Sequence, residues 1–139
     1  MERWLGDGGM PLIAHLGGSF TAYGDGWAEA TWDPTPDCCN PVGTVQAGVQ
    51  AVLLDAAMNF AVLAALDRGD RVSTLEMKTS NLRAARGGER LAVRGEVIRV
   101  GRRVGFVQAW LRTAAGDVEV AHATGTFIVN RREPSPPTE

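Results

Sequence analysis

Asp55 stands in the run AVLLDAAM, with apolar neighbours on both sides. On a helix it shares a face with Asn59, one turn further on. A carboxylate in an otherwise apolar helix needs a partner or a chemical task. Its plainer role is an ion pair or a capping role within an interface. Its chemical role would be that of a general base or nucleophile where the helix meets another surface. A second segment points the same way. Asn40-Pro41-Val42-Gly43-Thr44-Val45-Gln46-Ala47-Gly48 puts small and amide-bearing residues just where a helix begins. Free backbone N–H groups at such an end, helped by the helix dipole, can hold an oxyanion. Ordinary helix capping uses the same residue types, so this segment alone decides nothing.

Other chemistries find little support. His15 and His122 are far apart in sequence, with no serine or cysteine nucleophile arranged around either. No HxxxH or CxxC spacing suggests a metal, and no GxGxxG or GxxxxGK loop suggests a nucleotide. Cys38 and Cys39 are adjacent, which disfavours pairing with each other, and they read as reduced thiols of a cytoplasmic protein. Residues 83–112 carry Arg83, Arg86, Arg90, Arg94, Arg99, Arg102, Arg103 and Arg112 against Glu89 and Glu96. Such a density suits a phosphate-bearing ligand, and equally the solvated face of a sheet.

The elements that must position these groups follow from pattern. Residues 18–23 and 26–32 read as strands, with Asp25-Gly26 at the turn of a hairpin. Residues 33–45 form a loop rich in Pro, Asp, Asn and Gly. Residues 46–66 read as one helix, about 31 Å long, with Gly69 as a C-cap. That length would span a bilayer, but Gln46, Gln50, Asp55 and Asn59 argue for a core helix instead. His15 falls in a loop-like stretch. Beyond residue 70 the period changes to that of strands, at 71–80, 90–100, 103–113 and 118–129. The intervening turns fall at 86–89, 101–102 and 115–117, and short turns predict antiparallel neighbours. The tail RREPSPPTE, residues 131–139, has three prolines and is expected to be disordered.

The chain has 139 residues, 45% of them apolar and 22% charged, as expected for one globular domain. A formal charge of −2 does not suggest a nucleic-acid partner. Charge is uneven. Residues 1–60 hold one basic and seven acidic residues, whereas 61–139 hold thirteen basic and nine acidic. A helix apolar nearly all round must be enclosed, and a curved antiparallel sheet can do that.

The runs NPVGTVQAGVQAVLLDAAMNFAV, STLEMKTSNLRAARGGERLAVRGEVIRVGRRVGFVQAWL and AHATGTFIV together resemble the hotdog-fold acyl-CoA thioesterases of the phenylacetate-pathway type, with the related 4-hydroxybenzoyl-CoA thioesterases. The resemblance covers about residues 35–130. It implies an α+β hotdog fold over residues 1–130, with a long central helix wrapped by a curved antiparallel sheet. It also implies hydrolysis of acyl-CoA thioesters to free acid and coenzyme A. By position, Asp55 falls on the family's catalytic carboxylate and Asn40 on the amide residue that helps hold water or thioester. Thr74 falls on the hydroxyl near the attacking water. The Ala47 N–H falls where a glycine N–H polarises the carbonyl, and Gln46 replaces the usual histidine. Gln46 and Ala47 are departures, since the ring is lost and a methyl is added beside the thioester.

The hydratase branch of the fold resembles Asp-x-Asn-Pro-x-His, which Asp37-Cys38-Cys39-Asn40-Pro41-Val42 does not match. The resemblance further implies a homodimer or homotetramer with sites at the subunit interface, Asp55 being supplied by the facing subunit. Coenzyme A is then part of the substrate, with Arg83, Arg86, Arg102 and Arg103 as candidates for its phosphates. No cofactor, metal, nucleic acid or membrane is expected. The rival reading is a non-catalytic acyl-CoA or lipid-binding hotdog protein.

Overall fold

A computed structural model describes residues 5–132. In chain order these form α1 (Pro11–His15), β1 (Gly18–Gly24), β2 (Trp27–Trp32), α2 (Ala47–Ala64), β3 (Arg71–Asn81), β4 (Leu91–Val100), β5 (Val104–Thr113) and β6 (Glu119–Asn130). The strands make one curved antiparallel sheet in the order β1-β2-β4-β5-β6-β3. α2 packs on one face of it and touches all six strands. This is the helix-in-sheet arrangement expected of a hotdog fold.

Alternation in the strands sends Leu91, Val93, Val107, Ala109, Leu111, Ala121, Ala123 and Phe127 inward, all buried. They meet Leu53, Leu54, Ala57, Met58, Ala61 and Val62 of α2, also buried. The closest approach is at Gly95. A Cβ there would overlap the carbonyl of Ala57 and crowd the amide of Met58. Glycine at this point lets β4 lie directly against the helix backbone.

Three expectations need correction. His15 ends the short helix α1 rather than lying in a loop, and Ile13 of that helix is buried. α2 stops at Ala64, where the Ala65 and Leu66 amides bond Val62 and Leu63 in a tightened last turn. Gly69, with φ +96°, therefore serves the following turn and not a C-cap. β3 and β4 are not neighbours, because β3 pairs with β6 and β4 lies between β2 and β5. Residues 82–90 join them, nine residues that can extend to roughly 30 Å and so pass two intervening strands. Their bonds are spent on other parts: Val45 N–H donates to Ala85 O, and Thr44 bridges to Arg86. α2 is wrapped from one side by the curved sheet, as the expected fold requires. It is long and apolar enough to cross a membrane, and half of it is buried against the sheet. Val49, Val52 and Leu63 remain half-buried on its other side.

Of the proline-rich tail, residues 133–139 lie outside the described residues. Arg131 and Arg132 are held: the Arg132 amide donates to Asp70 Oδ1 at 2.6 Å, and Arg131 Nη1 lies 3.4 Å from Asp70 Oδ2. Asp70, its side chain 4% exposed, thus clips the end of β6 to the turn before β3.

Gly95→Ala is expected to destabilise the fold by about 1–3 kcal/mol, because strand and helix must separate to admit one methyl. Chemical denaturation of the two proteins measures the loss. Asp70 generates a pH-dependent expectation. The Arg132 amide, aided by the Asp67 amide and Arg131, outweighs the opposing effect of burial and holds the Asp70 carboxyl below the usual carboxylate range. A carboxylate with a depressed folded pKa stabilises above its unfolded value and loses that contribution as pH falls through the folded value. Asp70→Asn should therefore melt below the parent at neutral pH. The gap should close in strongly acidic buffer, as followed by circular dichroism.

Candidate active site

The α2 N-terminus is prepared by the loop before it. Asn40 Oδ1 accepts from the Val42 and Thr44 amides at 3.0 and 3.1 Å, and its Nδ2 donates to Thr44 Oγ1 at 2.7 Å. Gly43, at φ +90°, closes this turn. Asn40 thus shapes the loop and retains one amide hydrogen for anything beyond it. Gln46 is the N-cap residue, in extended conformation, and its side chain makes no capping bond. The Ala47 and Gly48 amides, the first two of the helix, have no acceptor within it, and both residues are exposed. The positive end of the helix dipole is therefore open. A cleft of about 260 Å³ adjoins it, lined by Thr44, Ala47, Gln50, Asn81 and Arg83 among others.

Asp55 occupies the side of α2 that the sheet leaves half-open. Thr74 Oγ1 donates to Asp55 Oδ1 at 2.7 Å, and Asn59 Nδ2 reaches Thr74 Oγ1 at 3.5 Å. Thr74 lies on β3 opposite Phe127, just before the irregularity at Leu75 that shifts the register with β6. The bulge lets one inward position turn toward the helix and leaves Leu75 out in solvent, 58% exposed. Bonding to Thr74 engages one carboxylate oxygen and leaves Oδ2 available to accept a proton. In sequence Asn59 is only a neighbour of Asp55; its four-residue spacing is the signal that places it in the group.

Of the sequence candidates, Asn40, Gln46 and Ala47 come together at the helix end, and Asp55 comes together with Thr74. The two groups do not meet within one chain. Eight residues of helix separate Ala47 from Asp55, about 12 Å along the axis. The arginines divide also. Arg83 lines the cleft at the α2 N-terminus, 3.7 Å from Glu89, and Arg86 bridges to Thr44 beside it. Arg102 and Arg103 sit in the β4–β5 turn next to Gly105, which packs on Val62 near the other end of α2. That is about 22 Å away along the helix. One chain cannot offer all four to the same phosphates.

The remaining candidates lie elsewhere. His122 packs 5.3 Å from the Trp110 ring on the opposite face of the sheet, and His15 is 3.6 Å from Asp37 in solvent. Arg94 bonds Glu29 and Glu96 and stacks over Trp27 on that opposite face. Among the described residues no group of three or more His, Cys, Asp or Glu could hold a metal ion.

Residues 42–120 match the thioesterase superfamily model, a span from the loop before α2 to β6 that includes Ala47, Asp55 and Thr74. A relative from Haemophilus influenzae is 30% identical over 101 residues, 73% of this chain and 72% of its own. A crystal structure of a thioesterase from Haemophilus influenzae superposes with TM-score 0.78 at 27% identity, covering 85% of this chain and 81% of that one. A phenylacetic acid degradation-related protein from Ralstonia eutropha superposes with TM-score 0.77 at 34% identity, covering 86% and 89%. The superfamily match spans more than half of the chain, and the chain belongs to the thioesterase superfamily.

Proposed function

We propose that the protein hydrolyses acyl-CoA thioesters at a site shared by two copies of the chain. The observation that carries this reading is the 2.7 Å Thr74–Asp55 hydrogen bond on the open side of α2, about 12 Å from an uncapped helix N-terminus. Each chain holds two complementary halves of an acyl-transfer site. A second copy, docked along the open side, joins one chain's carboxylate to the other's helix end. The sheet edge supports such docking. β3 is an 11-residue edge strand whose free backbone groups can pair with another chain.

In this reading the thioester carbonyl oxygen accepts from the Ala47 N–H, which strengthens as negative charge develops on that oxygen. Asp55 of the facing subunit, held by Thr74, takes a proton from water through Oδ2 while the water oxygen bonds to the carbonyl carbon. Collapse of the tetrahedral intermediate breaks the C–S bond. The thiol sulfur leaves with the bonding electrons and receives the proton from Asp55, giving free acid and coenzyme A. Water is the only co-reactant, so no cofactor is needed. Direct attack by Asp55 on the carbonyl uses the same geometry. The bulk of coenzyme A would pass Arg83 and Arg86 at the mouth of the cleft. Arg102 and Arg103 could join them only from another copy. These roles are consistent with a cytoplasmic enzyme.

The second reading, an acyl-CoA binder without turnover, is favoured by Gln46 and Ala47 in place of the His-Gly pair of the resembling family. Thiol release from a panel of aromatic and straight-chain acyl-CoAs separates the two. Tight binding with no release for any member would support the binder.

Asp55→Asn should lower kcat by about 10²–10⁴-fold with substrate binding little changed. Ala47→Pro deletes the amide hydrogen yet suits the first helical position, and Gln46 already has the extended backbone that precedes proline. It should lower kcat by about 10²–10³-fold. Unfolding the two inactive variants together and refolding them should restore about a quarter of parental activity, since each mixed dimer contains one intact site. No recovery in demonstrably mixed dimers would remove the shared site. For the phosphates, Arg83→Ala with Arg86→Ala should raise KM for acyl-CoA several-fold and flatten its salt dependence, with kcat nearly intact.

A further inference from the structure

Gln50 lies one turn into α2 and is 97% buried, as its relative exposure is 3%. Its Nε2 donates to Val45 O at 3.3 Å. A carbonyl only accepts, so the amide nitrogen must face Val45 and the amide oxygen must face away. That oxygen, Gln50 Oε1, has no hydrogen-bond partner, the one buried side-chain nitrogen or oxygen in this state among the described residues. Leaving a buried acceptor unused costs folding free energy, and a leucine or methionine would fill the same space without that cost. Gln50 also lines the cleft at the helix N-terminus, with Ala47, Thr44 and Arg83. Gln50 and Ala47 therefore border the same cleft, their residue positions about 4.5 Å apart along the helix axis, with the unused acceptor enclosed behind it.

We infer that Gln50 is a substrate-binding residue whose amide oxygen accepts a hydrogen bond from the amide N–H nearest the sulfur of the thioester's thiol arm. This rests on the proposed thioesterase activity and adds which part of the substrate enters the cleft. A thioester carbonyl and sulfur have no hydrogen to give. In an acyl-CoA the first donor beyond the sulfur is an amide N–H three bonds away, on every such substrate whatever its acyl group. With the carbonyl held at Ala47, one helical turn is a suitable reach for that N–H. Arg83, at the same cleft, lies on the side from which the rest of the arm and its phosphates would leave. The fixed amide orientation makes Gln50 a selector for thiols that bear this group, independent of the acyl chain.

The test compares two thioesters of one acyl group: the 2-acetamidoethyl thioester and the 2-acetoxyethyl thioester, which differ by N–H against O. Each rate is taken relative to hydroxide-catalysed hydrolysis. The parent should favour the amide compound in kcat/KM by about tenfold, as a site with a buried acceptor discriminates against a partner without a donor. Gln50→Met, close in volume and without hydrogen-bonding groups, should lower kcat/KM for the amide compound to the level of the oxygen analogue. The oxygen analogue should stay within about twofold of its parental value. Melting curves confirm that the variant is folded, and Gln50→Leu serves if it is not. Equal parental rates on the two compounds, equal loss on both in the variant, or a preference that survives the substitution would each overturn the role of Gln50. Parental failure on both compounds and on the acyl-CoA panel would instead overturn the thioesterase reading, and this inference with it.

Discussion

The contact of β4 with the backbone of α2 at Gly95 controls much of this structure. An 18-residue helix that is apolar on nearly every side cannot rest in water. The sheet covers it by touching it with all six strands, and the missing side chain at Gly95 lets the central strand come down onto Ala57 and Met58. Close seating sets the rotation of the helix. Leu53, Leu54, Ala57, Met58 and Ala61 go into the sheet, so Asp55 and Asn59 must face sideways, toward β3. The carboxylate meets Thr74 because the helix has been turned that way by its apolar neighbours.

The same seating leaves one side of the helix half covered. Val49, Val52 and Leu63 are only half covered, and β3 shows a long free edge with Leu75 in solvent. Those features coincide with the side that holds Asp55. A surface with apolar residues, an unpaired strand edge and a prepared carboxylate suits association better than solvation. Under the proposed shared site, assembly and chemistry would have one cause, since the half-covered face is also the one that would receive a second copy's helix end.

The helix end depends on a different kind of constraint. Asn40, Gly43 and the bridge from Thr44 to Arg86 fix the loop by hydrogen bonds, while Cys38 and Val45 anchor it in the core. Val45 is tied to Ala85, so the segment between β3 and β4 is part of the support. That connection crosses the end of the sheet because β3 pairs with β6. An irregular stretch without its own strand therefore carries both the wall of the cleft and Arg83.

Local pattern was enough for much of this. The long helix, the hairpins at β1–β2, β4–β5 and β5–β6, and the inward alternation of the late strands follow from periods of 3.6 and 2 and from turn residues, all of which act between near neighbours. Asp55 stood out because its neighbours are apolar, and the run from Asn40 to Gly48 announced a helix start. Other features came from contacts distant in sequence. The β3–β6 pairing, the separation of Arg83 and Arg86 from Arg102 and Arg103, and the bond between Thr74 and Asp55 depend on strand order, which turn residues do not encode when a connection is long. The short helix α1 is five residues held by the buried Ile13, too brief for periodicity to show. Gln50 is the sharpest case. In sequence it is one polar residue in an apolar helix, as Gln46 is. Only the folded chain shows one exposed at the helix end and the other buried, with its nitrogen occupied and its oxygen facing no partner. Burial and hydrogen-bond satisfaction are properties of the surroundings, and those surroundings include Asn81 to Ala84, more than 30 positions away.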